Sequence, residues 1–190
     1  MNQDNRPPAA VRDQQPSANA ADDEAAAVET RAMRKESLAY ALRFDDPCKV
    51  INWRVAKGLE VLRDQINQKA PGRRKDSDGT IGDAAHCRRE SDHNPHVRDG
   101  DTGVVTAMDI TDDRDHACSC EALSEALRIS KDTRIKYVIW NHRMFSSYAQ
   151  HNDAAWAWRS YSGSNPHTKH MHVSVNEDQA HYDDTTLWRI

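Results

Sequence analysis

Residues 167–175 read HTKHMHVSV, and the alternation within this stretch decides how the chain folds. Met171, Val173 and Val175 recur every second residue, the period of a half-buried strand, while His170, His172 and Ser174 fall on the opposite face. One side of the strand therefore belongs to an apolar core and the other carries imidazoles. Residues 104–111, VVTAMDIT, read as a second strand, with Val104, Thr106, Met108 and Ile110 pointing one way and Val105, Ala107, Asp109 and Thr111 the other. Asp109 thus projects among small neighbours from a rigid element.

Further strands are predicted over 134–140 and 144–147, joined by a turn at Asn141-His142-Arg143. Two helices flank them. Ile51, Val55, Leu59, Leu62 and Ile66 fall on one helical stripe, which Pro71-Gly72 ends. A second helix is predicted over 119–130, with Ala122, Leu123, Ala126, Leu127 and Ile129 inward. Residues 72–103 carry few large apolar side chains and many Gly, Asp, Arg and His, the composition of a long surface loop with at most one helical turn. The expected fold class is α+β, a small antiparallel sheet with flanking helices and a site on the sheet.

The 190 residues suffice for one domain with chain to spare. Residues 1–30 are rich in Ala, Gln, Asn, Asp and Pro, lack aromatics, and hold two arginines against six acids, which accounts for the whole net charge of −4. An acidic, disordered or loosely helical arm is expected over 1–45, with a short helix over about 31–45, and a folded domain over 46–190. Residues 31–190 are balanced in charge, which gives no reason to expect nucleic acid as a partner. No apolar run exceeds five residues, so membrane insertion is not expected. The opening MNQDNRPP lacks the basic start and apolar stretch of a secretory signal, so synthesis in the cytoplasm is expected. Cys48, Cys87, Cys118 and Cys120 form no C-x2-4-C pair, which disfavours a zinc ribbon. Free buried thiols are the favoured reading, with a Cys48–Cys87 disulfide left open.

Histidine is the unusual residue. All ten lie beyond position 85, and histidine is both the commonest transition-metal ligand and the commonest acid or base near neutral pH. Three stretches combine: Ser91-Asp92-His93-Asn94-Pro95 on the long loop, Asp109 on a strand, and His167-x-x-His170-x-His172 running into the last strand. Two histidines and an aspartate make a donor set suited to zinc, with a fourth position left for water. His116, His142, His151 and His181 read as ordinary surface or core residues. His86 and His96 flank the motif as candidates for substrate or outer-shell contacts. Trp140, Trp156 and Trp158 read as core or cleft wall, with sugar stacking as the alternative.

The order S-x-H, A-x-D, then H-x-x-H-x-H followed by Val173-Ser174 resembles the M15 family of zinc peptidases, the D-Ala-D-Ala carboxypeptidases and phage endolysins that cut peptide bonds of bacterial cell-wall peptide. The resemblance spans about 51–175 and implies a hedgehog-like or D-Ala-D-Ala-peptidase-like fold. It implies zinc (Zn2+) ligands His93, Asp109 and His172, catalytic His170 with His167 beside it, and Ser91 supporting the substrate or the ligand loop. It also implies an upstream arginine that polarises the scissile carbonyl. Arg73 or Arg74 is the candidate, because Gly82-Asp83-Ala84-Ala85 looks like the turn between that arginine and S-x-H.

The sequence departs from the family at two points. Residues 94–108 make a longer spacing between His93 and Asp109 than the family's, so an insertion including RDGDTG must loop out. Lys169 stands where some members place a catalytic glutamate, so a histidine must take over its work. The resemblance implies hydrolysis of peptidoglycan stem or cross-link peptides by metal-activated water. It also implies release through phage lysis or specialised secretion, with the acidic arm as a segment for a delivery partner. Two alternatives stand beside it. Ser91-Asp92-His93-Asn94-Pro95 has the opening of an HNH-like metal-dependent nuclease, although the C-x-x-C clamp and basic surface of such domains are missing. A non-catalytic zinc-binding module is the other.

Overall fold

The computed structural model describes residues 46–81, 87–150 and 152–190. The arm expected over 1–45, the turn Gly82-Asp83-Ala84-Ala85, His86 and His151 lie outside them. The fold is α+β, with two small sheets rich in antiparallel pairing and few helices. The strands are β1 (Trp53–Val55), β2 (Val97–Asp99), β3 (Thr102–Val105), β4 (Ala107–Thr111), β5 (Ile135–Trp140), β6 (Arg143–Ser146), β7 (Arg159–Ser160) and β8 (His170–Val175). The helices are α1 (Lys57–Lys69), α2 (Cys120–Ser130) and the single turn α3 (Gln179–Tyr182). One sheet has the order β1-β3-β2 and the other β4-β8-β5-β6-β7. Among the described residues no helix is long and apolar enough to cross a membrane.

The last strand follows the alternation of the sequence. Met171, Val173 and Val175 are fully buried in the apolar core, with β4 on one side of β8 and β5 on the other. The pairing sets Asp109 opposite His172 from one side and Ile139 opposite it from the other. The β5–β6 hairpin turns on Asn141 and His142 at φ of 47° and 62°, the left-handed pair that suits a two-residue connection between twisted strands. Ser119 caps α2 by accepting the Ala122 N–H, and the Trp140 indole N–H donates to Glu121, fastening the helix to β5.

Four expectations need correction. The helical stripe starts too early: Ile51 is 96% exposed, Val55 belongs to β1, and of the five stripe residues Leu59, Leu62 and Ile66 are those that face the core from α1. Residues 53–55 are held extended by parallel pairing with β3, and the Arg54 guanidinium forks onto Asp183 and Asp99. On α2 the inward residues are Cys120, Leu123, Ser124 and Leu127, whereas Ala122 and Ile129 face outward. The strand expected over 104–111 is two strands. At Thr106 the backbone leaves the first sheet, donating its N–H to the Asp92 carbonyl and accepting from Val175 N–H, and enters the second. Residues 72–103 are not all loop, because the insertion between His93 and Asp109 folds as the β2–β3 hairpin, turned by Gly100 at φ +60°.

Cysteine use also differs from the favoured reading. Cys48 and Cys87 form a disulfide, while Cys118 and Cys120 are buried free thiols, and burial pushes the Cys120 thiol well above its ordinary value.

Arg73 and Asp78 clamp the segment that runs along β4. The Arg73 side chain is wholly buried and donates to both Asp78 oxygens at 2.8 and 2.6 Å, while Asp78 Oδ1 also accepts from the Thr111 N–H and hydroxyl. Burial opposes the charged carboxyl of Asp78, but Arg73 and Thr111 outweigh it and its pKa lies below the ordinary 3.8. A depressed carboxyl stabilises the fold above its unfolded pKa and loses that contribution as pH falls through the folded value. Asp78→Asn strands a buried guanidinium, so urea unfolding at pH 7 should show a loss of about 3–5 kcal/mol. The gap to the parent protein should close as the pH falls below 3.8.

Candidate metal centre

Three segments bring their side chains to one point. His93 comes from a tight loop in which Ser91 Oγ accepts the His93 N–H at 3.3 Å, Ser91 O accepts the Asn94 N–H, and the Asn94 amide donates to the Arg89 carbonyl. Asp109 sits in mid-strand on β4, its backbone bonded to Gly79 by N–H to O contacts of 2.7 and 3.3 Å. His172 stands across from it on β8.

Their donor atoms form a small triangle. His172 Nδ1 lies 3.0 Å from Asp109 Oδ1, His93 Nε2 lies 3.3 Å from the same oxygen, and the two nitrogens are 3.0 Å apart. A tetrahedral zinc with bonds of ~2.0–2.2 Å separates its donors by about 3.4 Å, so the triangle matches one face of such a site with little adjustment. The donor set, two imidazoles and a carboxylate, suits zinc's borderline character. His93 Nδ1 faces the Thr80 carbonyl at 3.3 Å, so the proton sits there and the Nε2 lone pair is free to bind a cation.

The histidine protons offset the Asp109 charge, and a cation would replace them. Burial disfavours the Asp109 carboxylate, yet the hydrogen bonds and charge of His172 and His93 hold its pKa far below the ordinary range. Burial likewise works against a charged His93, but Asp109 outweighs it and His93 is raised.

His170 and His167 stand beside the triangle. His170 Nε2 is 3.6 Å from the second Asp109 oxygen, and the His167 ring packs edge-on against those of His170 and His172 at 5.1 and 5.4 Å. His167 is buried at a left-handed φ of 54°, its N–H donating to the Asn165 side chain. Burial, with help from His172, pushes the His167 pKa down to about 4, and burial lowers His170 as well. Both are therefore neutral near pH 7 and able to take a proton. A cavity of about 440 Å³ opens over the triangle, with Arg89, Glu90, Ser91, Tyr161 and Asn165 in its wall.

Each site residue expected from the sequence now has a position. His93, Asp109, His172, His170 and His167 converge, and Ser91 both braces the His93 loop and lines the cavity. Arg73 and Arg74 do not reach it. Arg73 is consumed by Asp78, and Arg74 is turned to Asp113, its Nε 3.5 Å from the carboxylate. The arginine in the cavity wall is Arg89, two residues before S-x-H, and that proximity was the signal available in the sequence. Tyr137, Tyr161 and Thr80 carry no motif and could be found only through the fold.

His96 is buried against Asp92 and Glu177, but the Lys136 ammonium already sits within 3.0 Å of both carboxylates, where a metal would have to go. The exposed His116 pairs with the buried Asp113. Trp140 is core, and Trp156 and Trp158 pack onto it. Trp158 lies under the Arg143 guanidinium, and none of the three lines the cavity. No family model, curated protein or solved structure matches this chain.

Calorimetric titration of chelator-treated protein with zinc should show one equivalent bound. At 100 times the dissociation constant, zinc should add about 2.7 kcal/mol of stability. Asp109→Ala should abolish both the binding heat and the stabilisation.

Proposed function

We propose that the chain is a zinc-dependent peptidase that hydrolyses stem or cross-link peptides of bacterial peptidoglycan, on a fold akin to the hedgehog and D-Ala-D-Ala peptidase group. The observation that carries this reading is the His93–Asp109–His172 triangle opening into a cavity, with His167 in the cavity wall and His170 beside Asp109. A structural zinc site closes its fourth position with protein, whereas a site facing a cavity keeps it for water or substrate.

His93, Asp109 and His172 would hold the ion, which when bound supplies Lewis acidity and a water nucleophile near neutral pH. His170, beside Asp109, accepts the proton of the attacking water and returns it to the leaving amine, within the range of imidazole. Such a role replaces the glutamate that Lys169 displaces. His167 backs His170 and keeps the wall of the site dry. Arg89 offers a guanidinium to the substrate carbonyl, the part first assigned to Arg73 or Arg74, and Ser91 and Asn165 offer hydrogen bonds to the peptide.

The Cys48–Cys87 disulfide supports action in an oxidising compartment, as a cell-wall substrate requires. The acidic arm is then a segment for delivery. Against the nuclease reading stand the balanced charge of residues 31–190 and a cavity wall in which Glu90 adjoins Arg89.

Mass spectrometry of muropeptides digested with the full chain tests the reading. Cleavage should stop with chelator and return with zinc, His172→Ala should lose metal, and His170→Ala should keep metal while losing turnover. A general acid or base contributes typically 10²–10⁴-fold, so the His170→Ala rate should fall by about that factor. Turnover retained by either variant, or metal bound without any cleavage, would overturn it, the latter in favour of a non-catalytic module.

A further inference from the structure

Asp109 has two carboxylate oxygens, and the triangle uses one of them. His170 and His172 share a face of β8 about 6.6 Å apart along the strand, and they meet Asp109, across on β4, at different oxygens. His172 Nδ1 faces Oδ1, which it shares with His93 Nε2, while His170 Nε2 lies 3.6 Å from Oδ2.

Oδ2 has a donor set of its own. Asp109, His167 and His170 each offer one ligand atom, and the three atoms lie within 4.8 Å of one another. The backbone fixes His167 in place, because the β5–β6 turn donates the Asn141 N–H to its carbonyl at 3.0 Å and the His142 N–H to that of Pro166 at 2.9 Å. Its side chain is enclosed, the whole residue being 7% exposed, and its ring stands edge-on to His170 with centroids 5.1 Å apart. Nδ1 of His167 and Nδ1 of His170 are both buried and find no hydrogen-bond partner among the described residues. Buried polar nitrogens are normally satisfied, and two unsatisfied imidazoles beside a half-used carboxylate are the donor pattern of a cation site.

We propose that His167, His170 and Asp109 Oδ2 form a second, weaker site for a divalent cation, with Asp109 bridging it to the site of His93 and His172. The two ions sit on the two oxygens of one carboxylate, at the separation of roughly 3.5–4 Å usual for two-metal centres. Two divalent charges about 4 Å apart repel, even at the dielectric of water, enough to weaken the second step by roughly 10³-fold. The triangle therefore fills first, and the second ion enters only at high zinc. Side-chain exposures of 16% at His170 and 18% at Asp109 give it a way in from solvent. The effect on turnover rests on the preceding reading: an ion on His170 takes the lone pair that receives the proton of the attacking water, so excess zinc switches the peptidase off.

Equilibrium dialysis of the full chain against zinc, with the metal counted by elemental mass spectrometry, is the direct test. One ion per chain should be bound at low zinc and two at about 10³ times that concentration. His167→Ala and His170→Ala should each keep the first ion and lose the second, and Asp109→Ala should lose both. Thermal melts of the metal-free proteins identify any variant that fails to fold. Zinc-edge anomalous diffraction from wild-type crystals needs no variant and should show two peaks roughly 3.5–4 Å apart, one at each Asp109 oxygen. Muropeptide cleavage should fall by about 10²–10⁴-fold over the concentrations at which the second ion binds, as it does when the base is removed. A single ion at every zinc concentration, a single peak held by His170 and His172 together, or a second ion retained by either folded histidine variant would overturn the inference. Two ions without cleavage at any zinc concentration would overturn the peptidase reading and leave the second site standing, whereas cleavage that needs zinc and is unchanged by excess zinc would sink the inference alone.

Discussion

The register between β4 and β8 governs everything at this centre. Antiparallel pairing sets Asp109 opposite His172 while Met108, Ile110, Met171 and Val173 are buried in the core. A slip of one residue would send the imidazole and carboxylate into the apolar layer and the four hydrophobic side chains out of it. Each of those side chains contributes roughly 1.5–3 kcal/mol on burial, and a slip would forfeit all four together. The apolar face thus decides the ligand geometry, and the polar face inherits a precision it could not enforce alone.

The same logic explains what could be read from the sequence. Met171, Val173 and Val175 alternate with His170, His172 and Ser174 without interruption, so that strand and its two faces were legible in full. His93, Asp109 and His172 were legible as residue types in a familiar order, and the fold brings them within 3.3 Å of one another. What escaped was set by partners far along the chain. Val55 fits a helical stripe, but pairing with Val105 makes it a strand residue. Thr106 gives no sign of a break within VVTAMDIT, because the break consists of backbone bonds to Asp92 and Val175. Arg73 had the composition of a site residue and became the mate of Asp78. The Cys48–Cys87 link spans 39 residues, a pairing that spacing alone does not dictate.

A division of labour among the acidic residues runs through the domain. Asp78 is matched by Arg73, Asp92 by Lys136 and Asp183 by Arg54, each at 3.0 Å or less and each bolting one segment to another. Asp109 is met instead by imidazoles at 3.0 and 3.3 Å. A guanidinium fork saturates a carboxylate permanently, whereas imidazoles can give up their protons and let it receive an exchangeable ion. Permanent charge pairs build the frame, and the carboxylate left to histidine is the one at the mouth of the cavity.

β4 is the outermost strand of its five-stranded sheet, and an open margin of that kind invites a neighbouring molecule to add a strand of its own. Here Gly79 exchanges two backbone bonds with Asp109, and Asp78 takes the Thr111 N–H, so the segment carrying them seals the margin. Thr80, the next residue, orients His93. One short strip of chain therefore protects the molecule from self-templated assembly and prepares its metal-binding face, so damage to that strip would surface as polymerisation and as lost affinity for metal at the same time.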